Sequence, residues 1–168
     1  MKNVSNGLLI FGALFITLGC NKDGLTKATQ KGANTFSCKV NGKVFKPFFV
    51  GGLFNSSPVL SARNNSQYNF SISAKNQETS QSVALENPYI QKTGIYKLYA
   101  NHPNRGIYSG STIEPGWYTT DSVHVGELTI TRCDNLNHIY SGTFFFTAKD
   151  PNTGKTINVT DGRFDVKE

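Results

Sequence analysis

Apolar residues in this chain recur at every second position, in short runs broken by Gly, Asn, Asp and Pro. A period of two is the signature of strands, because successive side chains of a strand point to opposite faces. No stretch beyond Thr35 sustains a helical stripe. Twelve Phe, seven Tyr and many Thr favour strands as well. Turn signals at short spacing point to an all-β fold, an antiparallel sandwich or partly open barrel.

Three hairpins follow from register. Phe36–Val40 and Lys43–Phe45 flank Asn41-Gly42, a strong type I′ signal, since both central residues need positive φ. That turn sets Cys38 opposite Phe45. A second hairpin joins Gly126–Cys133 to Ile139–Lys149. A five-residue loop, Asp134 to His138, pairs Leu128 with Phe144, Ile130 with Gly142 and Arg132 with Tyr140. Phe144, Phe146 and Ala148 then face inward and Phe145 faces out, covered by a loop or exposed. Asp150-Pro151-Asn152-Thr153-Gly154 turns the chain into a third hairpin, Thr156–Thr160 and Arg163–Val166 around Asp161-Gly162. It sorts Val159, Phe164, Ile157 and Val166 onto one face, and a one-residue slip would undo the sorting. Val59–Arg63, Tyr68–Ala74, Gln81–Leu85 and Ile95–Ala100 read as further strands. Asn101–Thr120 reads as a long loop or two short edge strands.

The start of the chain has a different character. Met1-Lys2 leads into an apolar stretch from Gly7 to Leu18, too short to span a bilayer, which takes about 20 residues. It ends abruptly at Gly19-Cys20, followed by Asn21-Lys22-Asp23. A basic start, a short apolar core and small residues at the cut describe a secretory signal. The terminal Cys makes it a lipoprotein signal, although Thr17 stands where Leu is usual. Residues 1–19 are thus read as the signal and Cys20 as the lipidated residue. Residues 20–34, rich in Lys, Gly, Thr and Asn, read as a flexible tether, and 35–168 as one β domain. The expected location is the outer membrane by lipid anchor, with the side it faces left open.

The formal net charge is +6, but the basic residues are scattered rather than striped, which speaks against nucleic acid as a partner. With Cys20 acylated, Cys38 and Cys133 remain, and an oxidising compartment permits a disulfide. The registers place Cys38 inward and Cys133 on the face opposite Leu128 and Ile130, so a bridge needs a kink at the strand end. Neither cysteine has metal-type spacing, and His102, His124 and His138 are scattered, so no metal and no cofactor are expected.

With these residues in view, the chain resembles a family of small, uncharacterised Bacteroidota lipoproteins. The likeness rests on Tyr140-Ser141-Gly142-Thr143-Phe144-Phe145-Phe146-Thr147-Ala148, on Asp161-Gly162-Arg163-Phe164-Asp165-Val166, and on the opening Phe36–Phe45. The resemblance implies a lipoprotein with a β fold and carries no catalytic residues.

No phosphate loop, nucleophile elbow or zinc motif is present. Glu114, Asp121, Glu127, Asp134, Asp161 and Asp165 are the candidate acids and bases, though Asp134, Asp150 and Asp161 sit where turns favour Asp. Asp121-Ser122-Val123 fits an O-glycosylation pattern with Ser122 as acceptor, or a turn into the next strand. Tyr108, Trp117 and Tyr118 are candidate ligand-contacting aromatics, or else the cap of one core end. The sequence therefore suggests a non-catalytic envelope module that binds glycan, lipid or protein. The alternatives are a small carboxylate-dependent hydrolase or a purely structural envelope protein.

Overall fold

The computed structural model describes residues 23–51, 58–99, 103–111 and 115–168. Among them there are strands and turns and no helix. The strands are β1 (Thr35–Val40), β2 (Lys43–Phe45), β3 (Leu60–Asn65), β4 (Asn69–Lys75), β5 (Ser82–Asn87), β6 (Gly94–Leu98), β7 (Arg105–Ser109), β8 (Trp117–Thr119), β9 (Gly126–Asp134), β10 (Ile139–Lys149) and β11 (Thr156–Lys167).

All eleven belong to one open antiparallel sheet in the order β2-β1-β11-β10-β8-β7-β5-β4-β3. β9 also pairs with β10, and β6 with β9. The sheet forks because one edge of β10 serves two partners. Residues 139–146 pair with β9, and Lys149 pairs with Thr119 of β8. The branches enclose one core, seen where Phe70 of β4 meets Tyr140 of β10 edge to face, 6.1 Å between centroids. Two cross-ties lace the margins. Phe48, just past β2, bridges in parallel to Asn76, just past β4. The Asn64 N–H of β3 donates to the Glu168 carboxylate beyond β11, 3.0 Å away.

Period-two patterning places the core. Phe70, Ile72 and Ala74 of β4, Val83 and Leu85 of β5, and Leu128 and Ile130 of β9 are buried. Phe144 stacks among Phe36, Phe146 and Phe164 with centroids 5.1, 6.5 and 6.4 Å away. The first hairpin stands as expected: Asn41 and Gly42 have φ of 47° and 82°, and Cys38 pairs with Phe45.

The other two hairpins are corrected. β11 is a continuous strand that runs through Asp161-Gly162 without reversing. Its partner is β10, and the connection is the Asp150–Gly154 turn. Asp161 has φ of 53°, whereas Gly162 has no positive φ, so the pair makes a bulge rather than a type I′ turn. Phe144 pairs with Gly162 and Phe146 with Val159, leaving Thr160 and Asp161 opposite Phe145 alone. Gly162 is required by close approach, since a β-carbon there would stand 2.5 Å from the Phe144 carbonyl oxygen. The bulge keeps Val159, Phe164 and Val166 inward, the sorting a hairpin also produces.

In the β9–β10 hairpin, Leu128–Phe144 and Ile130–Gly142 pair as expected. Arg132, however, pairs with Ser141, and Cys133 with Tyr140. Thr131 is the extra residue of a second bulge, and the loop is one residue shorter. The Asn101–Thr120 segment contains two strands, β7 and β8, and both are interior: β7 lies between β5 and β8, and β8 between β7 and β10.

Adjacent residues Phe145 and Phe146 test this facing. Phe146 is buried against Gly106, whose β-carbon, if present, would lie 2.6 Å from the Phe146 ring, while Phe145 is 52% exposed. Phe146→Ala is expected to cost about 3–5 kcal/mol in urea denaturation. Phe145→Ala should stay within about 0.5 kcal/mol. Equal losses would contradict the assigned faces.

Candidate functional site

The segment expected to be a tether is, from Asp23 onward, a strap laid on the outer face of β1, β11 and β10. Leu25 is its one buried apolar side chain. Polar bonds fix the rest. The Thr26 N–H donates to Ser37 Oγ, 3.0 Å away. Arg163 donates to the Thr26 carbonyl at 3.1 Å and to Asp23 Oδ2 at 2.8 Å. Arg132 donates to the Gln30 carbonyl, and the Lys167 N–H to Asn34 Oδ1.

The main clamp is Asp165, which is 1% exposed. Its carboxylate accepts five hydrogen bonds, from Thr29 Oγ1 and the N–H groups of Lys31, Gly32 and Ala33 in the strap, and from Ser141 Oγ beneath. Burial alone would raise its pKa. The bonds from Thr29, Lys31, Ser141 and Gly32 outweigh burial and hold it at about 2. Composition hid the strap, because it is fixed through backbone N–H groups rather than apolar side chains.

Beside the strap lies a shallow, open groove of about 540 Å³, lined among others by Ala28, Thr143, Phe145, Asp161 and Arg163. A smaller depression of about 150 Å³ adjoins it at Thr29, Gln30 and Thr131. The rim charges are paired: Lys39 Nζ lies 3.0 Å from Asp161 Oδ2, and Arg163 holds Asp23. The groove thus offers a half-exposed phenyl ring, hydroxyls and paired charges. It suits an extended chain lying across it better than a small molecule enclosed on all sides. The outward-pointing Phe145 was its one sequence signal.

The three candidate aromatics separate. Tyr108 and Tyr118 are buried in the core, 5.7 Å apart. Tyr118 faces Tyr108 across the β7–β8 pair, so both alternate inward while Trp117 alternates outward. Trp117 is 51% exposed.

Cys38 and Cys133, the pair for which the sequence leaves a bridge open, are free thiols in this fold. The Thr131 bulge does turn Cys133 toward the core. The strand order β1-β11-β10-β9 puts three inter-strand steps between the strands that carry the two cysteines. A disulfide needs Cα atoms within about 7 Å. Cys133 instead meets the Ile90 carbonyl and Asn135, 3.7 Å from each, and burial raises the pKa of both thiols.

Ser122 is exposed at a turn whose geometry Asp121 sets. Asp121 Oδ1 accepts the His124 and Val123 N–H groups at 2.6 and 2.8 Å, and His124 Nδ1 lies 2.9 Å from both carboxylate oxygens. Led by the His124 N–H bond, these contacts lower the Asp121 pKa to about 2. Asp134 is held well below the usual carboxylate range, chiefly by Arg132 and then Asn137. Asp150 accepts the Asn152 N–H and the Thr153 hydroxyl, and its pKa is lowered too. Glu127 of β9 stands opposite Lys97 of β6 in the ladder. His138 is exposed, 3.9 Å from Glu168. No group of His, Cys, Asp or Glu with metal-binding geometry occurs among the described residues. Cys20, His102 and Glu114 lie outside them.

Residues 34–166 match a family described as Domain of unknown function (DUF6252), and the chain belongs to that family. No curated protein and no solved structure matches the chain.

The clamp has a pH signature. Asp165 has its pKa depressed on folding, so its contribution is present above the unfolded value near 4. It is lost as pH falls toward about 2. A shift of this size corresponds to about 2 kcal/mol. Asp165→Asn should flatten the acid limb of the stability profile over that window. The Asn amide sets N–H donors against the strap's own donors, so at pH 7 trypsin should cut after Lys27 and Lys31 several-fold faster. Unchanged cleavage would show that the strap is held elsewhere.

Proposed function

We propose that the protein is a lipid-anchored, non-catalytic binding module of a Bacteroidota outer membrane, acting on an extended ligand such as a glycan strand or a segment of an envelope protein. The observation that carries this reading is the open groove between the strap and Phe145. Its ring, hydroxyls and paired charges give a flat apolar face with polar flanks. The lipid anchor is Cys20, supported by the apolar run that stops at Gly19. The non-catalytic part is supported by the carboxylates. Asp121, Asp134, Asp150 and Asp165 are held as ionised acceptors within turns or the strap, whereas a general acid needs a raised pKa. Exposed Ser122 offers a position for an O-linked glycan.

Stacking on one aromatic face contributes about 1–3 kcal/mol, so a single copy binds weakly. Dense display on a membrane multiplies that through avidity of about 10²–10⁴.

Two experiments test the reading, and a third tests the outward placement of Trp117. Metabolic labelling with alkyne palmitate is expected to tag the wild type and to spare Cys20→Ala; equal labelling of both would remove the anchor. In a glycan-array screen followed by calorimetry, Phe145→Ala is expected to weaken binding about 5- to 150-fold with no change in melting temperature. Trp117, the single tryptophan, is expected to emit as a solvent-exposed indole and to be quenched by iodide. Full binding by Phe145→Ala would exclude the groove.

A further inference from the structure

The strap changes what the anchor does. On the reading that Cys20 is acylated, only Asn21 and Lys22 separate it from Asp23, which Arg163 holds to the sheet. Three residue steps reach at most about 11 Å. The domain is therefore held close to the bilayer, and the surface around Asp23 is the one brought nearest to it.

That surface is distinctive. A β-carbon at Gly24 would stand 3.3 Å from Val44 Cγ2, so the strap begins directly on β2. β2 is a sheet edge, and Lys43 and Val44 on it are exposed. The chain continues through exposed Lys46 to Phe48, Phe49 and Val50, which are 49%, 45% and 44% exposed. Val50 is at most about 21 Å from Val44 by chain length. These apolar side chains are not mobile ends. The Phe48 N–H donates to the Lys75 carbonyl at 3.2 Å, and its carbonyl accepts the Gln77 N–H at 2.9 Å. The Val50 N–H donates to Gln77 Oε1 at 2.9 Å. The backbone is thus fixed with the rings turned out. Lys75, whose carbonyl holds the Phe48 N–H, is exposed at the end of β4, and Glu78 is exposed in the β4–β5 turn that follows. Asp23 and Asp161 are already paired with Arg163 and Lys39.

We infer that the β2 edge, Lys43 to Val50, is the face on which the domain rests on an anionic bilayer. Phe48, Phe49 and Val44 enter the headgroup layer, and Lys43, Lys46 and Lys75 meet lipid phosphates. Apolar rings bordered by lysines are the composition of an interfacial contact, because long lysine stems lie along apolar surface while the ammonium stays among headgroups. With this edge down, the groove on the outer face lies to the side of the bilayer, open to ligand. The acyl chain supplies the affinity and the edge supplies the orientation.

The test removes the acyl chain. The chain from residue 20, the mature chain on this reading, carries Cys20→Ser and is sedimented with vesicles. One set contains phosphatidylglycerol and phosphatidylcholine at 1:1, the other phosphatidylcholine alone. The expected result is salt-sensitive binding to the anionic vesicles and weaker binding to the neutral ones. Each lysine near an anionic surface contributes a factor of about five, so Lys43→Glu/Lys46→Glu should reduce binding by at least about 25-fold. Phe48→Ser/Phe49→Ser should reduce it on both vesicle types. Lys92→Glu/Lys97→Glu, on and beside β6, carries the same charge change away from the edge and should lose far less. Melting temperatures of all variants establish that they fold. No binding by the parent chain, or equal losses for the two lysine pairs, would overturn the inference. Because no acyl chain takes part, these outcomes are read separately from palmitate labelling, which tests the anchor alone.

Discussion

The shared edge of β10 is the constraint on which this architecture rests. A strand ordinarily has one partner on each side, and here one side of β10 is divided between β9 and β8. That division lets a single open sheet fold back over itself and enclose a core without closing into a barrel. It requires β10 to be apolar on the inner face along its whole length, and Tyr140, Phe144, Phe146 and Ala148 meet this requirement. At Gly142 the absence of a side chain lets the Phe164 ring approach. A sheet with this many free margins is exposed to slippage, and the ties at Phe48–Asn76 and Asn64–Glu168 limit it.

The strands and their inward residues were legible in the sequence because period-two alternation survives wherever one face is buried. Direction was less legible. The run Ile157, Val159, then Phe164, Val166 is symmetric about Asp161-Gly162. Alternation alone cannot tell a strand that folds back from one that carries a bulge and continues. What decides is the second backbone angle, since Gly162 does not take the positive φ that a type I′ turn demands. The Thr131 bulge escaped for a similar reason. Inserting one residue reverses the facing of everything after it, so Cys133 turned to the side opposite its expected one.

The groove was half legible. Phe145 stood out as an aromatic on the wrong face, but the wall beside it comes from the strap, whose sequence looks like a linker. A segment can be ordered either by burying side chains or by having its N–H groups collected by one acceptor, and only the first leaves a mark in composition. Asp165 is the acceptor here, on the far end of the sequence from the residues it holds. Tyr108 and Tyr118 were ambiguous for the opposite reason: aromatic, loop-flanked residues look alike in sequence whether they face ligand or core.

The strap also determines how the molecule responds to force. On the proposed anchoring at Cys20 and binding in the groove, the protein would be pulled between its N-terminus and that face. Tension entering at Asp23 meets the Arg163 ion pair first, then buried Leu25, then the five bonds around Asp165, and only afterwards the edge of β1. These contacts are arranged in series and can give way one after another. Their release would free the twelve residues from Asp23 to Asn34, about 40 Å of fully extended chain, while the aromatic core stayed intact. The same twelve residues that look like a leash in sequence are, in the folded chain, a folded length of leash held in reserve.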